Sequence, residues 1–277
     1  MSNGWEYYNH ALIPTTAPHK DPDVSQIKRR SNWHRLADGR RPLFARWTTD
    51  FDCPQETNWW YLIKEAPYDV NEASSNVRRH IRQSLRKCTV KKISAEDCIE
   101  DLYRVYKEAC ARYQNMGHQV SYESFQEGYL HGEEQAEYWG GYDQEDRLIG
   151  YVVVLVWDEY VETSVAKFSA QYMNLRVSDA LYHTILEYYL NQEGKKYVSS
   201  GQRSVNHVTN SQEYKINTFG FKKAYCRLHM AYLPIVAAAV HLIYPFRKHL
   251  KRFENQRIVH QLLAVLQMEE IVREERR

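Results

Sequence analysis

The chain has 277 residues, of which 43% are hydrophobic, with 37 basic and 35 acidic side chains. This is long enough for one large domain or one domain with appendages, and the composition argues against an integral membrane protein. Because the formal net charge is only +2, charged partners must be inferred from local clusters of charge. The five cysteines are odd in number and form no C-x-x-C pair, which favours a reducing compartment over disulfides or a zinc site. We therefore predict no metal.

Residues 1–56 are polar and rich in proline and turn formers, with little periodicity before the run Leu43–Trp47. We expect an extended N-terminal arm that wraps the core and contributes one or two short strands. The first ten residues contain neither the basic segment nor the apolar segment of a signal peptide, which predicts a cytoplasmic protein.

Strand and helix patterns begin near residue 57. Trp59–Ile63 is a strand-forming run. The helix that follows it has an apolar stripe at positions 77, 81 and 85 and a parallel cationic stripe that includes Arg78 and Arg82. These two arginines are candidates for binding an anionic acceptor or the phosphates of tRNA, and a solvated helix face is the alternative.

The remaining pattern alternates between strands and helices. We predict strands at 90–94, 136–141, 148–157, 160–171, 196–200 and 221–233, with helices after Ser94, after Ser121, at 178–191 and before Gly220. The strand at 148–157 is nearly all apolar, as expected of a central strand buried on both faces. Gly220 can adopt a positive φ at a helix end without a Cβ penalty, and Phe221 then begins the last strand.

The C-terminal part is distinct. Residues 230–246 are almost wholly apolar, are interrupted by Pro234, His241 and Pro245, and precede a basic cluster at 247–252. The run is too short to span a bilayer. It predicts either a helix docked on the domain or a peripheral contact with an anionic membrane. We therefore divide the chain into an arm (1–56), a central domain (57–233) and a C-terminal helical extension (234–277).

The order of elements from about Tyr138 to Tyr232, which ends on Phe219-Gly220-Phe221, resembles the acyl-CoA N-acyltransferase (GNAT) superfamily. Tyr214-Lys215 followed by Phe219-Gly220, together with the strand at 59–63 and its basic helix, is similar to the FemAB-related branch. The resemblance implies an α/β fold, with a GNAT-like mixed central sheet flanked by helices. It also implies a gap between strands, beside residues 171–178, that admits the pantetheine arm of acyl-CoA.

The superfamily binds the pyrophosphate of acyl-CoA on an Arg/Gln-x-x-Gly-x-Gly/Ala turn at the start of its main helix. The matching segment here begins at Arg176, and Asp179 and Leu181 stand where glycines would. An ordinary helix N-cap is the alternative interpretation. The resemblance implies these acyl-CoA-binding residues: Gln171, Met173, Leu175, Arg176, Val177, Ser178, Asp179, Ala180 and Asn210.

Acyl transfer to an amine requires a base for the ammonium proton, a group that stabilises the oxyanion and often an acid for the leaving group. We expect Glu162 or His207 as the base, with Asp158 and Glu159 as further candidates, and Tyr214 as the acid. Tyr214 lies two residues before the usual tyrosine of the superfamily, whose position is held here by Ile216. Polar residues at strand ends, where open α/β sheets hold their sites, complete the predicted substrate-binding set. That set consists of Arg78, Arg82, Ser199, Gln202 and Lys215.

The predicted function is transfer of an acyl group from acyl-CoA to an amino group of a small-molecule or cell-envelope precursor. Two alternatives stay open. One is a FemAB-like transferase that uses aminoacyl-tRNA. The other is a non-catalytic GNAT-fold protein that acts as a binding or membrane-surface module.

Overall fold

The computed structural model describes residues 4–111, 119–204, 210–254 and 256–275. The chain forms two compact units. The first unit combines residues 1–61, 202–209 and 223–277, and the second combines residues 62–201 and 210–222. Whether 1–56, 57–233 and 234–277 behave as separate domains stays a prediction.

The strands of the described residues are β1 (Trp5–Tyr8), β2 (Ala11–Pro14), β3 (Phe44–Thr49), β4 (Trp59–Glu65), β5 (Thr89–Ile93), β6 (Ala136–Tyr142), β7 (Leu148–Val156), β8 (Tyr160–Phe168), β9 (Tyr197–Gln202) and β10 (Lys222–Tyr232). The helices are α1 (Ser25–Lys28), α2 (Trp33–Leu36), α3 (Ser75–Lys87), α4 (Ala95–Cys110), α5 (Tyr122–Leu130), α6 (Val177–Leu186), α7 (Ser211–Phe219), α8 (Pro234–Ile243), α9 (Arg247–Leu250) and α10 (Arg257–Glu275).

The second unit contains a mixed sheet in the order β4-β9-β8-β7-β6-β5, and β4 begins in the first unit. Strands β5 to β8 are antiparallel neighbours, whereas β8 and β9 run parallel. Both faces are covered because β7 alternates between two cores. Val152 and Val154 pack with α6, while Tyr151 and Val153 pack with α4 and Phe125 of α5. The predicted α/β fold, a mixed sheet flanked by helices, is confirmed.

Two helix ends of the second unit have clear local causes. Helix α3 begins after Ser74, whose Oγ accepts a hydrogen bond from the backbone N–H of Val77 at 3.3 Å. Helix α7 ends at Gly220, which has φ of +67° as the Phe-Gly-Phe sequence predicts. Helix α6 ends at Leu186, earlier than predicted, because the chain continues to residue 192 as a wider π-helical turn.

In the first unit, β3 pairs parallel with β2 and antiparallel with β10. The N-terminal segment has more regular structure than the extended arm we expected, since it forms three strands and two short helices. Buried tryptophans explain why this segment has regular structure. Trp33 Nε1 donates a hydrogen bond to the carbonyl of Ile27 at 2.9 Å, and the side chains of Trp33 and Ile27 are buried with those of Trp5 and Leu12. Burial of these large rings stabilises helices too short to form alone.

The C-terminal residues of the first unit form helices α8 to α10. Arg247 donates two hydrogen bonds to Glu270, and Tyr232 of β10 donates to Glu269 at 2.8 Å, so α10 is linked to α9 and to β10. Among the described residues, no helix combines the length and apolar character needed to cross a bilayer.

Candidate active site

The parallel strands β8 and β9 pair over only three residues each. Tyr160–Glu162 pair with Tyr197–Ser199, after which β8 continues to Phe168 and β9 to Gln202 without further pairing between them. The hydroxyl of Thr163 donates to the carbonyl of Ser199 at 3.2 Å and so satisfies a backbone group at this point. We call the place where the two strands separate the fork.

Glu162 lies at the fork and is partly buried. Its Oε2 accepts a hydrogen bond from Ser199 Oγ at 3.4 Å, and that hydroxyl in turn accepts from the backbone N–H of Gly201 at 3.0 Å. Burial raises the pKa of the Glu162 carboxyl above its ordinary 4.5, and the Ser199 hydrogen bond and the charge of Lys215 oppose this rise only in part. A carboxylate of raised pKa is suited to accept a proton near neutral pH.

Lys215 brings a cation to the same region. Its side chain is only 4% exposed, its Nζ donates to Ser200 Oγ, and the ammonium lies 4.8 Å from the centroid of the Tyr182 ring. The fork therefore joins a partly buried carboxylate, two serine hydroxyls and a buried ammonium within the second unit. Such a cation in a region of low dielectric can stabilise a developing oxyanion.

The predicted pyrophosphate turn, at the start of α6, differs from the fork because its buried carboxylate is hydrogen-bonded to a tyrosine. Arg176 precedes α6 with φ of +56°, and the backbone N–H of Asp179 donates to the Arg176 carbonyl at 2.9 Å. The Asp179 side chain is buried, and its Oδ1 accepts from Tyr214 Oη at 2.5 Å, while Tyr214 Oη also lies 3.1 Å from Ser178 Oγ. Burial and the charge of Asp179 raise the pKa of Tyr214 well above its ordinary value.

This arrangement does not fit a pyrophosphate well, because a buried carboxylate already lies at the helix N-terminus that would receive the anion. Tyr214, the predicted acid, donates to that carboxylate. The acyl-CoA contacts assigned to this turn, and the acid role of Tyr214, stay predictions.

The other predicted residues lie in several places. Residues 170–175, which include Gln171, Met173 and Leu175, form an irregular 3₁₀ segment between β8 and α6. Val177 and Ala180 are buried in the core, and Asn210 is exposed at the start of α7. His207 lies outside the described residues.

The two predicted arginines differ in their environment. Arg78 Nη1 donates to the carbonyls of Asn71 and Ala73 at 3.0 and 2.7 Å, so it holds the turn before α3. Arg82 is exposed, and its contact with the Arg78 carbonyl, at 3.4 Å, is long. Helix α3 packs against α6 in the second unit. Of the pair, Arg82 is therefore the one available to a ligand.

Gln202 belongs to the first unit and joins a polar network there. Its Oε1 accepts from Arg46 at 3.2 Å, and its Nε2 donates to Tyr61 Oη at 2.8 Å. Burial lowers the pKa of the Arg46 guanidinium, and no described carboxylate is among the neighbouring groups whose charge acts on it. Arg46 is thus a cation whose charge is poorly compensated.

Two clefts of the second unit contain neither Glu162 nor Lys215 among their described lining residues. One, of about 790 Å³, lies between β5, β6 and the end of α5, and the other, of about 200 Å³, lies between α7 and the residues before α3. The described residues also contain no cluster of three or more potential metal ligands.

Sequence reasoning missed Thr163 and Tyr182, which support the fork. Thr163 was a β-branched residue within a predicted strand, and its hydroxyl gave no sign of a tertiary partner. Tyr182 follows Asp179 by three residues on α6, so helical spacing places it on the side of α6 that α7 meets. That spacing is the signal that could have identified it.

Comparisons with known proteins give a structural answer only. No family model matches the sequence, and no curated protein matches it. A crystal structure of FemX is similar at a TM-score of 0.59 and 9% identity, over 84% of this chain and 82% of that chain.

Two other solved structures are similar. The C-terminal domain assigned to a lysylphosphatidylglycerol synthetase from Agrobacterium fabrum has a TM-score of 0.54 and 12% identity, over 86% of this chain and 82% of that chain. L-PGS from Bacillus licheniformis has a TM-score of 0.53 and 13% identity, over 95% of this chain and 84% of that chain. These likenesses show a GNAT/FemAB-related fold.

Proposed function

We propose that this protein is a transferase that moves an acyl or aminoacyl group onto an amine at the fork. The observation that carries the proposal is the juxtaposition of Glu162, Ser199 and Lys215 where β8 and β9 separate. Parallel strands that diverge leave room for a substrate chain between them, and they present polar side chains to it. The GNAT/FemAB-related fold supports the same class of reaction.

In the proposed reaction, the acceptor nitrogen attacks the carbonyl carbon of the donor. Glu162 accepts a proton from that nitrogen as the C–N bond forms, while Lys215 stabilises the negative charge on the carbonyl oxygen. The tetrahedral intermediate then collapses and the bond to the donor oxygen or sulfur breaks. This leaving atom takes up the proton that Glu162 accepted, which regenerates the carboxylate. The products are an amide and the free alcohol or thiol.

Two donors are compatible with this chemistry. Acyl-CoA follows from the resemblance to the superfamily, whose pyrophosphate turn corresponds to Arg176–Leu181. Aminoacyl-tRNA is favoured by a specific observation, because the buried carboxylate of Asp179 occupies that turn and lies 3.6 Å from Nη1 of Arg176, the arginine that would bind the pyrophosphate. In addition, α3 packs against α6 and exposes Arg82 and other cations to solvent, where they would suit a phosphate backbone. The solved structures of similar fold include proteins named FemX and lysylphosphatidylglycerol synthetase, which supports the second donor.

The donor is tested by direct binding. Acetyl-CoA is titrated calorimetrically and mixed tRNA by fluorescence anisotropy over a series of salt concentrations. For tRNA we expect saturable binding that weakens with salt and weakens further in Arg82→Gln. Gln83→Glu, which makes the same one-unit change in net charge at the neighbouring exposed residue, is the matched control. Heat release with acetyl-CoA, and tighter binding in Asp179→Gly, would instead establish acyl-CoA as the donor.

The reaction itself is tested by following loss of the acyl group from each donor, with and without simple amines. We expect amine-dependent deacylation that falls by about 10²–10⁴-fold in Glu162→Gln. If the protein binds a donor but catalyses no turnover, and Glu162→Gln binds that donor equally well, the protein is a non-catalytic binding protein and the proposal is rejected.

A further inference from the structure

The C-terminal helices expose large apolar side chains to an unusual degree. In the segment 234–258, five such residues are more than half exposed, and Ile235 at 86% and Ile258 at 79% are the extremes. The others are Leu242, Phe246 and Phe253. Elsewhere in the described chain, only Tyr8 among the large apolar residues is more than half exposed. Such a concentration marks an interaction surface rather than scattered exposure.

Helical geometry places these side chains together. Ile235 and Leu242 are seven residues apart on α8, so they lie on one face, and Phe246 continues the same stripe past the helix end. Ala239 is exposed between them, whereas Val240 is buried on the other side of the helix. Helix α8 is therefore apolar on its inner face and also on its outer face. The inner face is covered, and the outer face lies open to solvent.

A cationic group adjoins the apolar stripe. Lys248, Lys251 and Arg252 are exposed, and Glu254 is the one acidic residue between 234 and 254 in the sequence. Arg247 is engaged elsewhere, because it donates to Glu270 and stacks over the Tyr244 ring at 4.1 Å. The open cations are thus confined to the residues that follow the apolar stripe along the chain. We call residues 234–253 the C-terminal surface.

We propose that the C-terminal surface docks the protein on an anionic phospholipid bilayer. Apolar side chains that enter the acyl region, next to lysines and arginines at the level of anionic headgroups, are the combination that interfacial binding requires. A protein partner would explain the apolar stripe, but it would not require the three exposed cations that follow the stripe. This inference is independent of the proposed reaction, since it holds whichever donor the fork uses.

The expected magnitudes follow from the residue types. Each exposed cation near an anionic surface strengthens binding by about fivefold, so neutralising three should weaken it by about 100-fold. Loss of a large apolar side chain from the bilayer should weaken binding by about tenfold or more. The cationic contribution must weaken with salt, whereas the apolar contribution must not.

The test is co-sedimentation of the full chain with vesicles of phosphatidylcholine, with and without phosphatidylglycerol. We expect binding to the anionic vesicles alone, weakened in Lys248→Gln/Lys251→Gln/Arg252→Gln and in Ile235→Ser/Leu242→Ser. Leu85→Ser, which removes an exposed leucine of α3, is the matched control and should bind as the wild type does. Unchanged thermal unfolding of each variant excludes misfolding as the cause.

Three results would overturn the proposal. One is equal binding to neutral and anionic vesicles, and another is binding that the C-terminal substitutions do not change. The third is an absence of vesicle binding accompanied by self-association in analytical ultracentrifugation that Ile235→Ser/Leu242→Ser abolishes. That last outcome would assign the C-terminal surface to a contact between two copies of the chain.

Discussion

The substitution Glu162→Gln tests the fork through stability as well as through activity. Burial raises the pKa of Glu162 above 4.5 in the folded protein, whereas the unfolded chain keeps the ordinary value. The folded state therefore holds the proton more tightly than the unfolded state. The stability from this residue is complete below about pH 4.5 and is lost as the pH rises through the raised pKa. Glutamine has no such dependence.

The difference in free energy of unfolding, wild type minus Glu162→Gln, should consequently fall as the pH rises and then level off. A single proton limits its slope to about 1.4 kcal/mol per pH unit. Urea denaturation at a series of pH values measures this difference without any substrate. Above the raised pKa, glutamine leaves the buried cation of Lys215 without its nearby carboxylate, and this sets a constant offset but not the slope.

The same titration should appear in catalysis. If Glu162 is the base, kcat/KM rises with pH through the pKa that the stability difference reports, and Glu162→Gln loses about 10²–10⁴-fold. Glu193→Gln, which neutralises an exposed carboxylate that belongs to none of the candidate sets, is the control and should leave both profiles unchanged. A stability difference that rises with pH, or an activity loss of less than about tenfold, would refute this account of the fork.

Three further predictions concern stability, measured by urea denaturation. Tyr214→Phe should destabilise by about 1–3 kcal/mol, because it removes the hydrogen bond to the buried carboxylate of Asp179; no loss would mean that water replaces the hydroxyl. Gly220→Ala should cost about 1 kcal/mol because its φ is +67°, and an equal stability would place that φ in question. Arg46→Gln should stabilise the folded protein by about 1 kcal/mol, since it removes a partly buried cation whose described partner is the neutral Gln202. A loss of stability would instead indicate that an anion pairs with Arg46 in solution.

Much of the fold could be predicted because the sequence signals were local and consistent. The run at 148–157 is apolar at successive positions, so only a strand covered on both faces suits it, and β7 is such a strand. Gly220 predicts a left-handed helix end, and the apolar residues Phe219 and Phe221 on either side of it predict burial. These features arise within a few residues of one another, where propensity and periodicity operate.

The N-terminal segment was harder to predict because its order depends on tertiary burial. Helices α1 and α2 have four residues each, below the length at which helix propensity decides structure. Ile27 and Trp33 are buried against strands that lie elsewhere in the sequence, such as the one that contains Ala45. A single sequence does not show such pairings.

In the candidate site, too, local sequence identified the residues but tertiary packing determined how they come together. Glu162 and Ser199 could be selected as polar residues near strand ends, because the order of strands was predictable. Their juxtaposition, however, depends on the register that pairs Glu162 with Ser199, and a slip of one residue would turn one of them to the other face of the sheet. Lys215 could be selected from its Tyr-Lys motif, but its burial is a product of packing around Tyr182.

The two departures from the superfamily pattern are parts of one feature. Asp179 occupies a position where the pattern has glycine, and Tyr214 precedes the usual tyrosine position by two residues; in the folded chain these two side chains are hydrogen-bonded to each other. Each alone would be unfavourable, since the first would bury a carboxylate and the second would bury a hydroxyl. Together they satisfy one another. The Asp179 carboxylate also lies 3.6 Å from Arg176 Nη1, so at this turn the arginine is paired with an anion that the protein itself supplies.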